Sequence, residues 1–264
     1  MKRLFGYLLI VIVLGLGHGA YGESEQRVID VSTRPGVTQR FLYLSPKHPH
    51  AAVILFAGGQ GGLDISPDGE LKRLKGNFLV RTRLQFEEGG LSVAVVDAPS
   101  DRQRAPFLDG FRQTREHVTD IKAVIAWLRK QNNIPVWLIG TSRGTQSAAF
   151  IATEIGAKEG GPDGLVLTST ILNDNKGRSV LEMPLGKIMI PVLVIHHKDD
   201  WCKLCSYDDV PKLMNKLSGA TRKELITITG GKTSGDPCEA MAHHGFNGQD
   251  KEVVGKIIEW IRAN

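Results

Sequence analysis

Short apolar, β-branched runs punctuate the chain at residues 52–56, 91–96, 135–139, 164–167, 191–195 and 224–228. Each is too short for a helix and is bounded by Gly, Pro, Asp or Ser, the pattern of strands buried on both faces. Between them the apolar period lengthens. Val118, Ile121, Ile125 and Leu128 recur at helical spacing, as do Val253, Ile257 and Ile261, and residues 147–155 read as a further helix. Strands alternating with helices predict an α/β fold, a mostly parallel sheet with helices on both faces. No internal repeat or Pro/Ser-rich linker divides residues 23–264, which read as one domain. Ligands of such sheets bind beyond the carboxyl ends of the strands, so chemistry is expected just after each run.

The first 22 residues follow another pattern. Lys2 and Arg3 precede thirteen almost wholly apolar residues, 4–16, and the small residues Ala20 and Gly22 come just before Glu23. This order predicts a signal peptide cleaved after Gly22 and an exported protein, periplasmic or secreted. As a helix the apolar stretch rises only about 20 Å, short of the roughly 30 Å hydrocarbon core, so no stable membrane insertion is expected after cleavage. No Cys occurs before Cys202, which excludes a lipid-modified N-terminal cysteine.

Composition narrows the classes further. With 41% apolar residues the chain is not a disordered or fibrous protein. The formal charge of +5 (33 Lys and Arg against 28 Asp and Glu) falls to 31 − 28 = +3 without Lys2 and Arg3. The positive residues are scattered, so no nucleic-acid partner is expected.

Three post-strand segments carry candidate chemistry. The run 135–139 leads into Gly140-Thr141-Ser142-Arg143-Gly144 and then into a helix. This is G-x-S-x-G at a strand-to-helix turn, where a serine hydroxyl projects beyond the sheet and helix N-terminal amides face developing negative charge. A chain of this composition yields the bare pattern by chance roughly 0.2 times, so its placement carries the weight. The run 191–195 ends in His196-His197-Lys198-Asp199-Asp200, and the last run is followed by His243-His244-Gly245-Phe246. The order Ser, Asp, His is that of a nucleophile, an orienting carboxylate and a general base.

These segments, with Phe56-Ala57-Gly58-Gly59-Gln60-Gly61-Gly62, resemble the α/β-hydrolase superfamily, in particular small exported serine esterases of the dienelactone-hydrolase-like kind. The likeness runs from Ala51 to the C-terminus. It departs at Ala57, where the family commonly has His, and at His197, where it has Gly. The resemblance implies Ser142 as nucleophile, Asp200 rather than Asp199 as the acid, and His244 rather than His243 as the base. It implies an oxyanion hole from the amide of Arg143 and that of Gly59 or Gln60. It further implies a small ester-type substrate, thioester, lactone and amide being open to the same machinery, and no metal or organic cofactor. Only twenty residues separate Thr170 from Pro191, where the family usually inserts a cap, so no large cap domain is expected. Residues 61–86 are expected to wall the pocket. Contact of Asp200 with His244 would bring Cys202 to Cys238 as a disulfide, with a Cys202–Cys205 bond as its competitor. Two rival readings use the same chain. One is a ligand-binding protein without turnover; the other is a metal hydrolase drawing on His196, His197, Asp199, Asp200, Cys202, Cys205, His243 and His244.

Overall fold

The computed structural model describes residues 26–264 except Lys176, so the expected signal peptide lies outside the described residues. Eight strands, β1 (Arg27–Arg34), β2 (Val37–Leu44), β3 (Ala51–Phe56), β4 (Leu91–Val96), β5 (Val136–Thr141), β6 (Gly164–Thr168), β7 (Val192–His197) and β8 (Lys223–Ile228), form one sheet in the order 1-2-4-3-5-6-7-8. Strands β3 to β8 run parallel, and the β1–β2 hairpin closes one edge antiparallel to β4. The helices are α1 (Phe78–Arg81), α2 (Arg83–Glu88), α3 (Arg115–Gln131), α4 (Gly144–Glu154), α5 (Val210–Lys216) and α6 (Asp250–Arg262).

The pleat sends alternate residues to opposite layers. Ile54, Phe56, Val136 and Leu138 pack with Ile121 and Val124 of α3 and Ile151 of α4. Their neighbours Val53, Leu55, Trp137 and Ile139 pack with Phe86 of α2 and Val253, Ile257 and Ile261 of α6. Both faces are covered, which is why the central strands read as unbroken apolar runs. Helix α3 begins where the Thr114 hydroxyl accepts the His117 backbone N–H at 3.2 Å, an N-cap.

All six strands expected from sequence are present. The hairpin β1–β2 was not expected, because β1 sits at the sheet edge, only half-buried, with Asp30 and Ser32 between its apolar residues. Between β6 and β7 the described residues make only single 3₁₀ turns, at Val180–Glu182 and Leu185–Lys187, and form no cap domain. Among the described residues, no helix is long and apolar enough to cross a membrane.

Candidate active site

Strand β5 ends at Thr141 and α4 starts at Gly144, so Ser142 and Arg143 alone make the turn. Ser142 is held at φ +52°, a left-handed conformation that side chains other than Gly rarely adopt. Its N–H donates to the Thr168 carbonyl at 3.1 Å, and its own carbonyl accepts the Thr145 N–H at 2.9 Å. The flanking glycines are required by close packing. A Cβ at position 140 would lie 2.5 Å from the Gly144 carbonyl oxygen, and one at 144 would lie 2.0 Å from that of Phe56.

Asp200 follows β7, and His244 sits in a single 3₁₀ turn, His243–Gly245, ahead of α6. The His244 Nδ1–H donates to Asp200 Oδ2 at 2.9 Å, and both residues are buried. The second carboxylate oxygen accepts the Cys202 backbone N–H at 3.0 Å. Burial raises the Asp200 carboxyl, but hydrogen bonding from His196 and His244 outweighs it and holds the pKa at about 2. The anion therefore persists through neutral pH. His244 Nε2 is buried and has no hydrogen-bond partner among the described residues. His196 lies behind the pair, its Nε2 2.7 Å from the Cys205 carbonyl oxygen and 3.5 Å from Asp200 Oδ2. His243 turns away, donating from Nδ1 to the Asp199 carbonyl at 3.2 Å.

Ser142, Arg143, Gly59 and His244 line one cavity of about 370 Å³, bounded by Leu74, Asn77 and Phe78 from the 61–86 segment. Among the described residues, the backbone N–H groups of Gly59 and Arg143 form no backbone hydrogen bond. Gln60 lies off this cavity; its carbonyl accepts the Leu108 N–H and its side chain reaches Asp109. The Arg143 side chain pairs with Asp174 at 2.8 Å. Arg81, expected in the pocket wall, instead grips the histidine loop: it donates to the Gly245 carbonyl at 2.6 Å and bridges bidentately to Asp250.

Two further residues have no counterpart in the sequence reading. Arg112 is buried and forms no salt bridge among the described residues, Asp109 acting on it only through space. Its Nη2 donates to the carbonyls of Ala57 (3.1 Å) and Gly59 (3.0 Å), and its Nη1 donates to Ser147 Oγ (3.0 Å). Burial lowers its pKa to about 10, so it stays cationic at neutral pH. Ser169, buried at φ +44°, donates its hydroxyl to the His244 carbonyl at 2.7 Å. Both act on backbone carbonyls and leave no motif to read.

Cys202 and Cys238 are disulfide-bonded, closing a 36-residue separation and tying the acid loop to the histidine loop. Among the described residues, two groups of potential metal donors each hold their ligand atoms within 4.8 Å of one another: Cys202, Cys205 and His244 in one, and His197, Asp199 and His243 in the other. In the first, the Cys202 sulfur is taken by the disulfide. In the second, the rings of His197 and His243 stack at 4.2 Å and 13°, which prevents both in-plane lone pairs from meeting at one ion. Both nitrogens of His197 are also engaged, with the Gly230 carbonyl and the Asp199 N–H.

No protein-family model matches the chain, and no curated protein matches it in sequence. Solved structures do match in fold. A dienelactone hydrolase from Anabaena variabilis is 15% identical with a TM-score of 0.64, over 92% of this chain and 99% of its own. An esterase from Pyrococcus furiosus is 15% identical with a TM-score of 0.63, over 91% and 93%. A lidless α/β serine hydrolase from Xanthomonas campestris is 15% identical with a TM-score of 0.58, over 90% and 94%. The chain has the α/β-hydrolase fold.

Proposed function

We propose that this protein is a serine hydrolase that cleaves small carboxylic esters through an acyl-enzyme on Ser142. The observation that carries the reading is the state of His244. Its Nδ1–H is fixed on a buried carboxylate at 2.9 Å, and its Nε2 is left unpartnered beside the cavity that Ser142 also lines. In this reading Nε2 takes the Ser142 proton as Oγ attacks the ester carbonyl. The amides of Arg143 and Gly59 receive the oxyanion, and Gly59 is preferred to Gln60 because it lines the cavity. The proton then passes from His244 to the leaving alcohol, and a water activated by the same nitrogen releases the acid. Esterases and dienelactone hydrolases among the structural neighbours support the substrate class. The leader-like pattern of residues 1–22 and the disulfide support export with a mature chain from Glu23. N-terminal sequencing of the secreted protein tests that part.

The test of the chemistry is mass-spectrometric mapping of a fluorophosphonate probe, with Ser142→Ala beside the native protein. The expected result is one adduct, on Ser142, absent from the variant. A folded protein that takes no label would leave a ligand-binding protein without turnover as the better reading.

A further inference from the structure

The reaction leaves one buried thiol unused. Cys205 stands three residues from Cys202, and the two sulfurs lie within 4.8 Å of each other and of a ring nitrogen of His244. Cys238 is bonded to Cys202 and so belongs to the same cluster. Cys202, Cys205 and His244 are buried together, and the exposed Cys238 is held to them through its bond to Cys202. With the disulfide closed, only Cys205 and His244 are available as donors. With it open there are four, three thiols and one imidazole, which is a composition of structural zinc sites.

Distances agree with that composition. Tetrahedral zinc with zinc–sulfur bonds of about 2.3 Å spaces its donors about 3.8 Å apart. Cys202, Cys205 and His244, within 4.8 Å of one another, then need shifts of only about 1 Å, whereas the sulfurs of Cys202 and Cys238, bonded in the disulfide, separate by about 1.8 Å once it opens. The C-x-x-C pair sets two donors at a spacing common in zinc sites. His244 is already oriented by Asp200 at 2.9 Å, the carboxylate–histidine arrangement that steadies metal-bound imidazole. Its Nε2 is buried without a partner among the described residues.

We propose that Cys202, Cys205, Cys238 and His244 form a latent site for zinc or a similar thiophilic divalent ion, opened by reduction of the disulfide and silencing hydrolysis when filled. The silencing rests on the hydrolase reading; the binding does not. Opening uses a dithiol reductant. One of its thiolates attacks the sulfur of Cys238, an exposed residue, and the Cys202 thiolate leaves. The second thiol of the reductant then attacks the mixed disulfide, closes its own ring and frees the Cys238 thiol. Two electrons pass from dithiol to protein, and the protons of the three thiols are released to solvent as zinc binds. Both His244 nitrogens have a task in turnover, Nδ1 on Asp200 and Nε2 on the Ser142 proton. A metal bound at either one stops it.

Cobalt is the probe, because tetrahedral thiolate–cobalt complexes give a charge-transfer band and intense visible absorption. The native chain is reduced with dithiothreitol, freed of it by anaerobic gel filtration and titrated with Co²⁺, then with Zn²⁺ as competitor. One equivalent with the band is expected in the reduced protein and none in the oxidised protein. Cys205→Ser should weaken binding at least tenfold, whereas His243→Ala should bind like the native chain. Hydrolysis by the reduced protein should fall as zinc is added and return with a chelator. Absence of the band after reduction, or its survival in Cys205→Ser, overturns the site. Its loss in His243→Ala would place His243 among the donors in place of a proposed one and overturn the site equally. A band without any loss of hydrolysis overturns the silencing. Failure of the hydrolase reading shows up separately, as no fluorophosphonate adduct on the oxidised, metal-free protein.

Discussion

Asp200 has three polar contacts that only an anion can satisfy together: His244 Nδ1, the Cys202 N–H and, more distantly, His196 Nε2. Asp200→Asn keeps the shape but lets the amide donate toward His244 and hold the wrong tautomer. The expected loss in kcat is roughly 10³–10⁴-fold with little change in KM. Asp199→Asn, whose side chain is exposed, should stay near the native rate. Steady-state kinetics on a p-nitrophenyl ester separates the two, and equal losses would remove Asp200 from its role. Arg112 acts one step further back. It holds the carbonyls of Ala57 and Gly59, and in the proposed reaction it would thereby fix the peptide planes of the oxyanion loop as a positioning residue. A methionine there leaves two carbonyls and Ser147 without their donor. Arg112→Met should lower kcat by on the order of 10²-fold, with KM held within a few-fold, as when an oxyanion donor is lost. A fall confined to thermal stability would mean that Arg112 is only structural.

At the scale of elements, the disulfide joins two loops that follow different strands, β7 and β8. Closing 36 residues restrains the unfolded chain by about 4 kcal/mol on loop-entropy grounds. Cys238→Ser should therefore lower the unfolding free energy in urea by up to that amount, and a change under ~1 kcal/mol would show that the loops hold each other without it. The same elements show what could be read in advance. Strands β3 to β7 were legible because both faces of each are buried, so their side chains are apolar without alternation. β1 was not, because its polar residues stand at the edge of the sheet. Ser142 was legible because the turn that strains it allows no side chain at Gly140 or Gly144. Arg112, Ser169 and the grip of Arg81 were not. Their partners are mainly backbone carbonyls, which any sequence supplies, so contact between distant segments had to be seen.

At the scale of the whole molecule, stability couples to pH most strongly through a residue away from the reaction. His117 on α3 is buried against Phe56 and Phe111, and neither ring nitrogen has a hydrogen-bond partner among the described residues. Burial first, then the charges of Arg112 and Arg34, lower its pKa from 6.5 to about 3. Between those values the unfolded chain binds a proton that the folded chain refuses, so stability falls as pH drops from 6.5 towards 3. Each pH unit of that descent costs up to about 1.4 kcal/mol. Asp200, held at about 2, acts in the same direction but only below the ordinary carboxylate value of 3.8. Asp97 acts oppositely. Burial raises its carboxyl despite the four backbone N–H groups it accepts, so the folded form takes up its proton first and gains stability as pH falls through that range. Burial also lowers the pKa values of His50 and His197, which act in the same direction as His117, and between pH 6.5 and 5 the fully buried His117 should contribute the largest part of the slope. Urea midpoints measured across that interval should decline in the native protein. In His117→Leu, which cannot take up a proton and leaves no polar atom unpaired, the decline should be smaller, the remainder coming from groups such as His50 and His197. Parallel slopes in the two proteins would mean that the acid sensitivity arises elsewhere and that the buried imidazole finds a partner in solution.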